Sequence, residues 1–184
     1  MATYIVSSGK SSDGIILEKG SMLILEGGVA NSTTVNTLGN MSISSGGTAV
    51  ETTVNSRGSM CVSSGGTAIG TVVDRYGYLT ISSGDTVIDT VVCTGGNFYY
   101  SSGITAINTY IGSSASFNIS SGVTFEGIVF NGHSIRLTDK YGTAMNGVVL
   151  NNASLMIYSE RYNQGPVVSG ATVNSKSRLE VSSG

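Results

Sequence analysis

Cleaving a glycosidic bond by general acid–base chemistry takes two carboxylates about 5 to 9.5 Å apart. The densest acidic neighbourhood in this chain is Asp85 with Asp89, preceded by the pair Asp74-Arg75. These residues occupy variable or corner positions of an otherwise regular sequence, and nothing beside them would build a cleft. They are read as solvated surface charge, and the chain as having no catalytic residue and no cofactor. Metal chemistry finds no better support. His133 is the sole histidine, and Cys61 and Cys93 fall at different phases of the sequence pattern. They are expected neither to pair nor to gather the three or four ligands zinc prefers, and His133 reads as a turn residue. The Gly-Gly-x-Gly-x-Asp spacing of calcium-binding solenoids is absent, as is the Gly-x-Ser-x-Gly of a serine nucleophile. The serines are therefore turn formers or modification sites.

Aromatic side chains offer a different chemistry, because a tyrosine ring presents an apolar face for a sugar and a hydroxyl for bonding. Tyr78 and Tyr99 stand at the outward phase of short alternating segments, with Thr80 and Asn97 beside them. A second candidate is the segment 158–166, which lengthens one copy of the pattern and is expected to be a loop carrying Tyr158, Arg161 and Tyr162. Insertions in repetitive folds fall on loops, where selective contacts concentrate.

The elements that would position these residues follow from a repeat. Ser-Ser-Gly recurs at Ser44, Ser63, Ser82, Ser101 and Ser120, every 19 residues. Each copy holds an apolar-polar-apolar triplet such as Met41-Ser42-Ile43, Met60-Cys61-Val62 or Leu79-Thr80-Ile81, whose outer members share one face at period two. A second signal ends on Val35, Val54, Val73, Val92 and Ile111, and a third column runs through Ala49, Ala68, Val87 and Ala106. Gly39, Gly58, Gly77 and Gly96, with the pairs Gly46-Gly47 and Gly65-Gly66, mark corners where a positive φ is expected. A 19-residue coil cannot bury its apolar residues alone, so it stacks on its neighbours. The fold expected is all-β: a right-handed parallel β-helix, or solenoid, of about nine coils. The threonines Thr52, Thr71, Thr90 and Thr109, two residues before the inward valines, should also turn inward, which argues against an exposed ice-binding array. Asn36, Asn55, Asp74, Cys93 and Asn131 should stack at one corner.

Composition fits this picture. There are 26 glycines, one proline and no tryptophan, and 11% of residues are charged. A formal charge of −2 with scattered Lys and Arg leaves no phosphate-binding footprint, so nucleic acid is excluded as a partner. No apolar run approaches the roughly 20 residues of a membrane-spanning helix.

The sequence Ser44-Ser45-Gly46-Gly47-Thr48-Ala49-Val50-Glu51-Thr52-Thr53-Val54-Asn55, with Ser63-Ser64-Gly65-Gly66-Thr67-Ala68, resembles the AIDA-type repeat of bacterial autotransporter adhesin passengers. The resemblance implies a secreted or cell-surface passenger that supports adhesion, autoaggregation and biofilm growth. It also implies self-association, contact with host-surface glycans or proteins, and a glycosyltransferase that modifies Ser or Thr. A carbohydrate-binding or polysaccharide-active β-helix is the alternative. The chain opens on the repeat without a leader-like segment and closes on Ser182-Ser183-Gly184, the start of another copy. Residues 1–184 are thus expected to be one solenoid domain from a longer passenger.

Overall fold

The computed structural model describes residues 3–63, 65–117, 122–139, 143–159 and 167–183. These residues form short strands joined by tight turns, arranged as parallel sheets of seven, nine, nine and three strands. Each strand pairs with the equivalent strand one coil on, so nine coils stack as expected. At about 4.8 Å per coil the stack is a rod of roughly 40 Å.

The registers place like over like. In the first sheet Met41, Met60, Leu79, Phe98 and Phe117 are successive partners. In the second, Ala30, Ala49, Ala68, Val87, Ala106 and Phe125 follow one another, and in the third Val35, Val54, Val73, Val92 and Ile111. Apart from the partly buried Phe117, these side chains are fully buried. Each large one contributes about 1.5 to 3 kcal/mol, which a coil realises only with a neighbour above and below. Phe98, Tyr100, Phe117, Phe125 and Phe130 fill the seventh-coil region with ring centroids 5.2 to 6.2 Å apart.

The period holds at 19 through the middle of the rod and then lengthens. Thr105, Thr124, Ala144 and Val167 are successive partners, so the last two steps are 20 and 23 residues. Here the first strand of each coil grows to six residues, Ser134–Asp139, Ser154–Ser159 and Arg178–Ser183, and these three form the separate fourth sheet.

Two kinds of glycine serve the corners, where the sequence suggested one. Gly46 has φ +73°, the left-handed geometry expected of a tight turn. Gly58 has an ordinary φ and is required by space: a Cβ there would lie 2.3 Å from the Val35 carbonyl oxygen of the previous coil. Non-glycine residues meanwhile adopt the left-handed conformation at the other corners, among them Leu38, Arg57 and Tyr76 at φ 61° to 64°.

The walls are less polar than the sequence suggested. On the outer face of the second sheet Thr48, Thr67, Thr86 and Thr105 form one column and Val50, Ile69, Ile88 and Ile107 another, all half-buried. The threonines of the other phase do turn inward: Thr52, Thr71, Thr90 and Thr109 are at most 1% exposed. The hydroxyls of Thr71, Thr90 and Thr109 find no hydrogen-bond partner there. An unsatisfied buried hydroxyl costs about 1 to 3 kcal/mol, and valine keeps the shape without it. Thr90→Val should therefore raise stability by about 1 kcal/mol, seen as a higher urea midpoint with an unchanged slope.

Candidate functional site

The turn leading from the third sheet into the first carries Asp74-Arg75-Tyr76-Gly77 between Val73 and Tyr78. Its geometry is fixed by backbone bonds from Gly77 N to Asp74 O, 2.8 Å, and from Tyr76 N to Gly95 O of the next coil, 2.9 Å. Tyr76 is held at φ 64°, a conformation that costs an L-residue about 1 to 2 kcal/mol, and this turns its ring out to 52% exposure. The Arg75 guanidinium lies over that ring, 4.7 Å from the centroid. The ion pair found among the described residues is Arg178 with Glu180, 2.8 Å, so Arg75 has no carboxylate partner there.

Arg75 and Tyr76 open onto a groove of about 710 Å³ that crosses the coils, lined also by Thr94, Gly95, Asn97, Ser114 and Ser116. Tyr99 stands beside it, its hydroxyl donating to Asn97 Oδ1 at 3.4 Å and lying 3.2 Å from Ser116 Oγ. Tyr78 is in register with Asn97, and Thr80 with Tyr99, which puts both predicted tyrosines on the outer face of adjacent coils. They are 43% and 39% exposed. The sequence reading missed Arg75 as a groove residue and Tyr76 altogether. Their proximity to Tyr78 was visible, but the left-handed turn that swings Tyr76 outward is not marked by glycine.

Tyr158, expected on a loop, instead belongs to the strand Ser154–Ser159 and lies three coils from Tyr99. Register pairing continues through it, Thr138 to Tyr158 to Ser182, so the lengthened copy begins after the strand. Its ring lies 5.3 Å from the Arg136 guanidinium carbon, and its hydroxyl donates to Met156 Sδ. The two tyrosines of the first sheet and Tyr158 therefore do not share one site. Arg161 and Tyr162 lie outside the described residues.

The acidic candidates have structural partners. Asp85 takes the place that Gly66 holds one coil earlier, and it is 1% exposed rather than solvated as expected. Its two carboxylate oxygens accept from Gly66 N and Ser82 N, each at 3.1 Å, tying two coils together. Burial pushes its pKa above the ordinary aspartate value, partly opposed by those backbone donors. Asp89, on the exposed corner, accepts from Asn108 Nδ2 at 2.9 Å.

The corner column expected from the sequence is also present. Asn55 Nδ2 donates to Asn36 Oδ1 at 2.6 Å, and Asn174 repeats the bond to Asn151 at 2.5 Å. Cys93 sits in this column as a free thiol, raised in pKa by burial and by Asp74 beside it, and so protonated at neutral pH. Cys61 is also free, on the outward phase of the first sheet. His133 Nε2 lies 2.6 Å from the Gly112 carbonyl, an acceptor, which assigns the proton to Nε2. Among the described residues no three His, Cys, Asp or Glu side chains gather where they could hold a metal ion.

Residues 2–58 match the model of the family described as "Adhesin of bacterial autotransporter system, probable stalk", the AIDA family. This is the family the repeat resembles, and the match gives that resemblance a footing in the sequence of the first coils. No curated protein matches the chain. Among solved structures, the chain is similar to a TibC-catalysed hyper-glycosylated fragment of TibA, at 24% identity, covering 99% of this chain and 87% of that one, with a TM-score of 0.49. It is also similar to QnrB1, a plasmid-mediated fluoroquinolone resistance protein, at 11% identity, 90% and 91% coverage and a TM-score of 0.34. At these values neither likeness carries an argument about function.

The raised pKa of Asp85 has a definite sign. In the window from the ordinary aspartate value of 3.8 up to the folded-state value, the unfolded chain releases its proton first, so stability falls as pH rises. Measured against Asp85→Asn, the wild-type urea midpoint should decline as pH rises above the ordinary aspartate value. A relative gain over that range would show that the backbone donors outweigh burial.

Proposed function

We propose that this chain is a non-catalytic passenger segment of a bacterial autotransporter adhesin, placed at the cell surface or secreted, whose walls mediate self-association and thereby autoaggregation and biofilm growth. One observation carries the adhesive part: columns of identical or near-identical side chains face outward in strict register. On the second sheet the column Thr48 to Thr105 runs beside the column Val50 to Ile107, without a charge in either over four coils. A face of this kind is compatible with its own copy, since no like charges oppose and every coil repeats the same contact.

Magnitude sets the character of that contact. The uncharged wall is four coils, about 19 Å long, and one short strand wide, about 200 Å² per copy, a quarter of what a stable complex buries on each partner. A single pair of segments is therefore weak and reversible, and avidity arises when many such segments are displayed together. The reading treats residues 1–184 as one solenoid unit of a longer passenger. Its turn serines, such as Ser45, Ser83 and Ser102, are exposed and accessible to a Ser/Thr glycosyltransferase. Host-surface glycans or proteins are the further partners the AIDA match supports.

Sedimentation velocity across a concentration series tests the wall. The wild-type weight-average sedimentation coefficient should rise with concentration, and Ile69→Glu with Ile88→Glu should hold it at the monomer value. A wild-type chain that stays monomeric at millimolar concentration would overturn the self-association reading.

A further inference from the structure

We propose that the corner groove between the fourth and seventh coils binds an acidic oligosaccharide, with sugar faces against Tyr76, Tyr78 and Tyr99 and a carboxylate or sulfate held by Arg75. This inference rests on the corner and the first sheet, and is independent of the second-sheet wall. Three observations converge on it.

The first is the break in the wall. Outward residues of the first sheet before this point are Thr3, Ser21, Asn40 and Ser59 in one column and Ile5, Leu23, Ser42 and Cys61 in the other, none of them aromatic. Tyr78 and then Tyr99 interrupt the two columns in adjacent coils, and Tyr76 reaches out from the turn between them and Arg75. Single exposed tyrosines are ordinary. Here three lie within about two coil rises, and all three rings are outside the core, so folding does not account for them.

The second is the state of Arg75. Its guanidinium lies over the Tyr76 ring and pairs with no carboxylate among the described residues. No carboxylate lines the groove; Asp74 lines a neighbouring hollow that shares Arg75 and Thr94 with it, together with Asn55, Ser56 and Cys93. A planar cation with its donors free, in a chain of net charge −2, selects an anion locally against the sign of the whole.

The third is the rest of the lining. Ser114 presents a hydroxyl, and Thr94, Ser116 and Asn97, which also bond Ser113, Tyr99 and Gly77, add further donors and acceptors of the kind that read sugar hydroxyls; Tyr76 supplies an apolar face in the lining and Tyr99 one beside it. A nucleic acid would require several cations along its backbone, and one is present here.

The sequence holds no tryptophan, so its emission comes from nine tyrosines, Tyr76, Tyr78 and Tyr99 among them, and a change that is lost in Tyr78→Ala with Tyr99→Ala reports the corner. The chain is titrated with hexamers of galacturonate, of sulfated galactose and of neutral galactose, and with hexaglutamate. At least one acidic sugar should bind, and the neutral hexamer and the acidic peptide should bind about tenfold more weakly or worse, since a charge-assisted bond and the stacking are each needed. Galacturonate against sulfated galactose separates a carboxylate ligand from a sulfate one. Arg75→Gln, and Tyr78→Ala with Tyr99→Ala, should each lower affinity about tenfold or more, confirmed by calorimetry, with the urea midpoint of Arg75→Gln unchanged. Binding should persist in Ile69→Glu with Ile88→Glu, which isolates the groove from the wall. Neither acidic sugar binding at millimolar concentration, equal affinity for the neutral hexamer or for hexaglutamate, or full affinity in Arg75→Gln would each overturn the proposal.

Discussion

The backbone ladder between successive coils is the interaction on which everything else in this molecule depends. Asn55 N bonds to Val35 O, Asp74 N to Val54 O and Cys93 N to Val73 O, each at 2.9 Å, and equivalent bonds link the described strands and most of their turns. No coil can satisfy these groups or cover its own apolar residues alone, so burial and hydrogen bonding are won by the same neighbour. The ladder also imposes a rule on side chains: whatever stands at one position stands directly over its equivalent. Asn36 under Asn55 becomes an amide ladder, and the carbonyl of Val35 under Gly58 forbids a Cβ.

Departures from the repeat show how the ladder absorbs change. Asp85 replaces a corner glycine and is retained by two backbone donors despite the burial of its charge. Where the corner column loses its side chain at Gly112, His133 from the next coil adds a bond to the Gly112 carbonyl, which also accepts from Ala115 N. In both cases a side chain outside the repeat pattern finds a backbone partner in the preceding coil. Catalytic chemistry needs titratable groups that converge on open space; the acid with the clearest burial here is consumed in holding two coils together.

Two surfaces remain for contact with other molecules, and they differ in kind. The second-sheet wall is repetitive, so any affinity it has is spread along the rod and grows with the number of coils presented. The Tyr76, Tyr78 and Tyr99 corner occurs at one level of the stack and combines aromatic faces with a guanidinium that has no carboxylate partner among the described residues. The contacts proposed for the wall and for the corner require no change to the core columns, because both surfaces use positions whose side chains point away from the core.

Sequence alone determined the coil, since a 19-residue period and alternating apolar residues admit few other ways to bury what they carry. The inward columns, the inward Thr52 to Thr109 column and the outward Tyr78 and Tyr99 all followed from period two along a strand. What the sequence could not decide were matters of contact between residues about 19 apart. That Gly58 answers to crowding rather than to a turn, that Asp85 is buried, that Tyr158 continues a strand, and that Tyr76 faces the groove with Arg75 across its ring all depend on which atoms the next coil brings close. Local pattern sets the direction in which a side chain points; the neighbouring coil sets what it meets there.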